Sequence, residues 1–218
     1  MKGIKDFAAY AVVGTLALGL AACGGTAKEQ MSEDYVYIND ITGFEPDPVY
    51  PNSWLKPDYK DVDKYNTYVV DNVEVVKIGE GVDPEDAERV AAYFRDAVRA
   101  KLSEGGYNVV DSVQDDSMVI KLYINGLEQP GGEAANVATS LMIGMSTSVG
   151  AVTIEAAFID GPTGEIQAVV SDSRRGAYMN ASPWSNWQDI ENAMDDWADE
   201  ITQSFDDIYK AAGKKMDG

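Results

Sequence analysis

The chain has 218 residues, 17 of them basic and 37 acidic, for a formal net charge of −20, with a single cysteine and no histidine. A surface this acidic repels phosphate backbones, and no basic patch with interleaved aromatics is present, which argues against nucleic acid as a partner. The lack of histidine removes Ser-His-Asp triads, Cys-His pairs, histidine metal sites and the commonest general base, leaving carboxylate pairs, lysine or tyrosine for any catalysis. Among so many acids such a pairing arises by chance, so an enzyme ranks below a binding or structural role, and neither cofactor nor metal is expected. Solubility, or a saline habitat, accounts for the charge without a charged ligand.

The N-terminal segment opens on Lys2 and Lys5, runs apolar from about Phe7 to Leu20, and closes on Leu20-Ala21-Ala22-Cys23. This is the three-part layout of a secretory signal peptide over residues 1–22. The Leu-Ala-Ala-Cys ending resembles a bacterial lipobox. The resemblance implies cleavage after Ala22, a diacylglyceryl thioether on Cys23 and acylation of the new amino group. Two or three acyl chains on one residue hold a protein stably on a membrane, where a single chain does not. The alternatives are ordinary secretion, with Cys23 near the cut by chance, or an uncleaved membrane helix. The apolar run is short for a span of roughly 20 residues, and no second thiol is there to pair with. Gly24 follows the cysteine where inner-membrane retention in enteric sorting takes aspartate, so by analogy the destination is the outer membrane, facing the periplasm. Cleavage removes Lys2, Lys5 and Asp6, leaving 15 basic and 36 acidic residues and a formal charge of −21. Such a body holds itself off anionic headgroups, and the membrane bond is the lipid.

Residues 23–66 read as an extended tether. Pro46, Pro48, Pro51 and Pro57 break any periodicity, while Tyr35, Tyr37, Phe44, Tyr50, Trp54 and Tyr59 are too many for pure disorder and suit a strap docked on the domain. The domain itself spans 67–210. Residues 67–77 (TYVVDNVEVVK) are dense in β-branched side chains and read as a strand. A helix over 84–104 follows. Asp83 caps it, Pro84 suits the first position, Asp86 takes the capping-box place, and Ala87, Val90, Ala91, Phe94, Val98 and Leu102 recur at helical spacing until Gly105 and Gly106. A short strand over 107–111 and a longer one over 118–127 come next.

Residues 151–160 and 165–173 form two strands around Gly161-Pro162-Thr163-Gly164, a hairpin loop by composition. The last element, 186–210, carries Trp187, Ile190, Met194, Trp197, Ile201, Phe205 and Ile208 three and four residues apart, one apolar stripe on an otherwise acidic helix. A tail, 211–218, ends the chain.

Between the strands, 129–150 (QPGGEAANVATSLMIGMSTSVG) fits either a strand or a helix, and periodicity does not choose. A flap, a subunit contact and a membrane-inserted piece all stay open for 135–150. In the last case fold-level analogy points to an oligomeric export channel, although Glu155 would fall in the middle of the second strand that a membrane hairpin needs. The acidic clusters Asp58-Asp61-Asp63, Asp115-Asp116, Asp195-Asp196 and Asp206-Asp207 lack the Asp/Asn-Gly-Glu loop of an EF-hand and read as solvated surface. Asp172, Arg174 and Arg175, after the hairpin, are the candidates for meeting a carboxylate ligand or peptidoglycan, with an internal ion pair as the plainer account.

Several short motifs occur in order behind the lipobox. They are Asp63-Lys64-Tyr65 leading into Val69-Val70-Asp71-Asn72-Val73, then Leu102 through Gly105-Gly106-Tyr107-Asn108-Val109-Val110-Asp111. Val152-Thr153-Ile154-Glu155-Ala156 follows, then Asp160 with Thr163-Gly164-Glu165, and Trp187 with Ala193 and Trp197-Ala198. In these the chain resembles the bacterial lipoproteins grouped as domain of unknown function 3313, from about Gly43 to Tyr209. The likeness breaks between Gln129 and Gly150. It implies a localisation and a fold but no activity.

The expected fold is one α/β (α+β) domain, a mixed sheet of about four or five strands with two main helices packed on it, the strand at 67–77, its helix and the strand at 118–127 making a right-handed crossover. The leading functional expectation is a non-catalytic binding or envelope-assembly module, with an envelope protein or peptidoglycan as partner. An oligomeric export or channel-type lipoprotein is the alternative, and a carboxylate-based enzyme comes third.

Overall fold

The computed structural model describes residues 35–38, 41–57, 59, 64–79, 81–128, 151–175 and 186–211. The leader, Cys23, the ambiguous segment 129–150, the side chain of Arg175 and the end of the tail lie outside the described residues.

Local signals build the first helix, α1 (Pro84–Glu104). Asp83 Oδ1 accepts the Glu85 N–H at 2.9 Å, and Pro84 sits in the first turn, where its missing N–H costs no hydrogen bond. At the other end the Gly105 and Gly106 N–H groups bond the Lys101 and Ser103 carbonyls at 2.9 and 3.1 Å, and Gly106 turns the chain at φ 85°. All six apolar stripe residues of α1 are buried.

Among the described residues, seven strands form one mixed sheet. They are β1 (Glu45–Pro46), β2 (Ser53–Leu55), β3 (Thr67–Val70), β4 (Glu74–Val75), β5 (Ser117–Glu128), β6 (Ala151–Asp160) and β7 (Ile166–Arg175). The spatial order is β1-β2-β7-β6-β5-β3, with β4 also on β5. β5 pairs parallel with β3 and β4 and antiparallel with β6, so α1 is the crossover that a parallel pair requires.

The count exceeds four or five because short segments join both sides of the sheet. The stretch 67–77 divides in two: from Val70 to Glu74 the chain uses four steps against three from Ile120 to Tyr123 on β5. The break falls at Asp71-Asn72, where Asp71 Oδ1 accepts the Asn72 N–H at 2.8 Å and competes with the ladder. Residues 107–111 contribute a single bridge, Tyr68 to Val109, which closes the outer side of β3. Within the stretch read as tether, β1 and β2 extend the sheet, Ser53 pairing with Val170 and Leu55 with Ala168.

One face of the sheet is apolar and covered by both helices. Met118, Ile120, Leu122 and Ile124 of β5 and Val152, Ile154, Ala156 and Phe158 of β6 are buried there, with Ile190, Met194, Trp197, Ile201 and Phe205 of α2 (Asn186–Ala211). α2 lies along α1. On the opposite face Val119, Ala157 and Ile159 gather with Tyr37, Val69 and Ile166.

The β6–β7 turn explains why its motif residues belong together. Asp160 Oδ1 accepts the Thr163 N–H at 3.0 Å and its hydroxyl at 2.7 Å, while Oδ2 meets Lys64 Nζ at 2.6 Å and the Tyr65 hydroxyl at 2.9 Å. A methyl group on Gly161 would stand 2.7 Å from the Ser117 carbonyl oxygen, closer than a real contact. Burial alone would raise the Asp160 carboxyl, but the Lys64 ammonium, Thr163 and Tyr65 outweigh it and hold that carboxyl well below the usual range. A depressed folded value stabilises the protein above the unfolded one, near pH 4, and the contribution is lost as pH falls below that through the folded value. Urea midpoints measured downward from pH 4 should therefore fall less steeply for Asp160→Asn than for the wild type. Identical slopes would show that Lys64 and Thr163 do not stabilise the charged form.

Candidate functional site

A cavity of about 420 Å³ lies between α2 and the β2–β7–β6 end of the sheet. Its origin is the placement of small side chains. In an antiparallel pair cross-strand partners share a face, so Ala168, opposite Phe158, and Ala156, opposite Val170, both point at the helices. Two alanines at the middle of this surface leave space beneath Ile201, Phe205 and Ile208 of α2. Leu55 and Tyr59 wall the β2 side, and Trp197 of α2 lines the cavity beside Asp172.

The loop joining β1 to β2 forms the mouth. Asp47 Oδ1 accepts the Val49 and Tyr50 N–H groups at 2.7 and 3.1 Å, an Asx turn, and Asn52 takes φ 58°, a left-handed conformation that asparagine tolerates. The Asn52 carbonyl then accepts the Ser171 N–H at 3.0 Å, tying the loop to β7. Across the mouth the Tyr50 hydroxyl donates to Asp207 Oδ2 at 2.6 Å. Burial, then Asp207, raise that hydroxyl to about 12, so it remains a donor at any ordinary pH.

Two of the residues singled out in the sequence meet here. Asp172 lines the cavity and its Oδ2 accepts the Trp197 indole N–H at 2.8 Å and Arg174 Nε at 3.4 Å. Arg174 also reaches Asp196 at 2.8 Å and Glu200 at 2.5 Å, and its guanidinium lies 5.0 Å from the centre of the Trp197 ring. Asp196 and Glu200 are more than 60% exposed in their side chains, so each pair contributes little alone. Together with the stacked indole they join the end of β7 to α2. Arg175 is placed by its backbone opposite Ala151, on the last rung of the β6–β7 pair.

The acids of α2 are more than a solvated face. Asp195 accepts the Tyr93 hydroxyl at 2.9 Å, Asp206 that of Tyr107 at 2.8 Å and Asp207 that of Tyr50. These bonds tie α2 to α1, to the chain after it and to the mouth loop. Among the described residues no group of three or more acids could hold a metal ion, and no helix is long and apolar enough to cross a membrane.

A second polar arrangement sits on the other face of the sheet. Glu155, in the middle of β6, has no exposed surface. Its carboxylate accepts the successive backbone N–H groups of Val36, Tyr37 and Ile38 at 2.7, 2.6 and 2.7 Å, and the Asn125 side-chain amide at 3.2 Å. Three consecutive amides form a nest for an anion. The Tyr37 ring meets Tyr123 edge-on, 5.6 Å between centroids, so residues 36–38 are fastened to the sheet by both charge and packing. The signal in the sequence was a lone acid in an apolar strand; its partners, 117 to 119 residues away, carried none.

A family model described as protein of unknown function (DUF3313) matches residues 29–201. The chain belongs to this family. The DUF3313 match covers the Glu155 nest, all seven strands, α1 and α2 as far as Ile201. No curated protein matches the chain. Among solved structures this DUF3313 protein is similar to the PelC dodecamer from Paraburkholderia phytofirmans, at 11% identity and a TM-score of 0.42, over 63% of this chain and 86% of that one. It is similar to protein XCC0632 from Xanthomonas campestris at 11% identity and a TM-score of 0.47, over 77% and 93%. Lipoprotein GNA1162 from Neisseria meningitidis gives 11% identity and a TM-score of 0.39, over 65% and 98%.

Proposed function

We propose that this DUF3313 protein is a non-catalytic binding module, held in the outer membrane by acyl chains on Cys23 and facing the periplasm, which takes the apolar part of an envelope ligand between α2 and the β2–β7 edge. The cavity carries this reading. At about 420 Å³ it has the size of a small-molecule site, and its walls are mostly aliphatic and aromatic with a few polar side chains among them. Filling it with an apolar chain removes apolar surface from water. A non-catalytic role is supported by the absence of histidine and by the engagement of Asp172 and Glu200 with Arg174 and Trp197. In this reading Arg174 positions the mouth and Asp172 lines it. The lipobox and Gly24 support the anchor and its destination.

Ligand-observed NMR with the lipidated protein in zwitterionic nanodiscs, corrected with empty discs, tests the groove, using hexanol as a neutral apolar probe. Ala168→Leu fills the space between the alanines and should weaken hexanol at least about tenfold while leaving the circular dichroism spectrum intact. Equal binding by a folded Ala168→Leu variant would place the probe elsewhere and end the groove reading. Cys23→Ser, followed by membrane fractionation, should move the protein from the membrane to the soluble fraction.

A further inference from the structure

We infer that the ligand of the groove is an amphipathic cation, an apolar chain bearing one ammonium or guanidinium group, with the chain between α2 and the sheet and the charge at Asp47, Asp172 and Glu200. This rests on the groove reading and adds the sign of the ligand. Those three carboxylates are the charged side chains that line the cavity among the described residues, and no lysine or arginine lines it.

The surroundings keep that sign. Asp196 and Asp207 stand beside the mouth, the first on Arg174 and the second on Tyr50. Among the described residues, the cations that answer these five acids are Arg174, shared among Asp172, Asp196 and Glu200, and Lys210, whose charge reaches Asp207. Within the described residues, five carboxylates against two cations make the mouth net negative.

Low-dielectric walls on one side concentrate that field on whatever enters. The head of a fatty-acid-like anion would be held against these carboxylates, whereas a neutral chain gains burial but nothing from the rim. A cation on an apolar chain gains both. Its charge remains near water, so it is drawn to the mouth without the desolvation that a buried ion pair suffers.

The test compares hexyltrimethylammonium, hexanoate and hexanol, which share one chain, by ligand-observed NMR on the lipidated full chain in zwitterionic nanodiscs. The cation should bind about tenfold more tightly than hexanol, and hexanoate more weakly than either, the sum of a few partly screened ion pairs. The preference should shrink toward unity in molar salt, and Asp47→Asn combined with Glu200→Gln should bring the ratio of cation to hexanol affinity most of the way to unity, whatever it does to hexanol itself. If hexanol and the cation bind alike, the charge inference is wrong and the groove reading survives. Should the cation be preferred equally in Ala168→Leu, the acids are acting as open surface and the inference is wrong. No binding by any of the three would end the groove reading and this inference with it.

Discussion

Glu155→Ala should destabilise the protein by about 3 kcal/mol or more, since it leaves three adjacent backbone donors and the Asn125 amide without their carboxylate, and an orphaned buried donor costs about 1–3 kcal/mol. Glu155→Gln retains one acceptor oxygen and nearly the same volume, and should fall between the variant and the wild type. Urea denaturation measures the loss. Limited proteolysis measures its location, because residues 36–38 should become cleavable before the rest of the sheet opens. A Glu155→Ala protein within about 0.5 kcal/mol of the wild type would mean that residues 36–38 are held by Tyr37 packing and not by the nest.

Phe94→Ala should cost about 3–5 kcal/mol, the range for a buried phenylalanine truncated where neighbours cannot collapse. Phe94 has no exposed surface, and its ring lies 6.1 Å from that of Trp197, at the contact of α1 with α2. Because α2 also roofs the groove, the same substitution should weaken hexanol binding even though Phe94 does not line the cavity. Thermal unfolding should drop by about 10 °C for a domain of this size. A fall of only one or two degrees would show that α2 repacks freely on α1, and would undercut the account of the groove as a preformed space.

Other features have consequences of smaller size but the same logic. Lys64, Tyr65, Asp160 and Thr163 belong to motifs nearly a hundred residues apart in the chain and meet in one hydrogen-bonded cluster. The family likeness thus has a physical basis at that point, a turn whose carboxylate is held charged to lower pH by the lysine and two hydroxyls that face it. Asp172 and Arg174 are brought together as the internal ion-pair account foresaw, yet with more partners than a neighbouring acid: two carboxylates and an indole of α2 complete the group.

The helices and the β6–β7 hairpin were legible in the sequence because their determinants are local. A helix closes its hydrogen bonds within four residues, so the Asp83 cap, Pro84, the stripe through Leu102 and the terminal glycines suffice to bound α1. The hairpin pairs neighbours across five residues, 161–165, whose types suit a turn. β1 and β2 were not legible, since two and three residues carry no period. They are strands only because β7 offers β2 an edge and β2 then offers one to β1. The division of 67–77 was written in Asp71-Asn72 but became visible only against the register of β5.

The sequence by itself determined the acidic charge, the two amphipathic helices and the identity of most core residues, all properties of composition or of spacing within a turn or two. Only the tertiary structure decided that Ala156 and Ala168 lie diagonally across the β6–β7 pair under α2, that Glu155 finds its donors at residues 36–38, and that the acids of α2 face tyrosines and Arg174. Cavities, nests and ion-pair clusters are made by surfaces distant in the chain, and which surfaces meet is settled by the packing of the whole sheet against both helices.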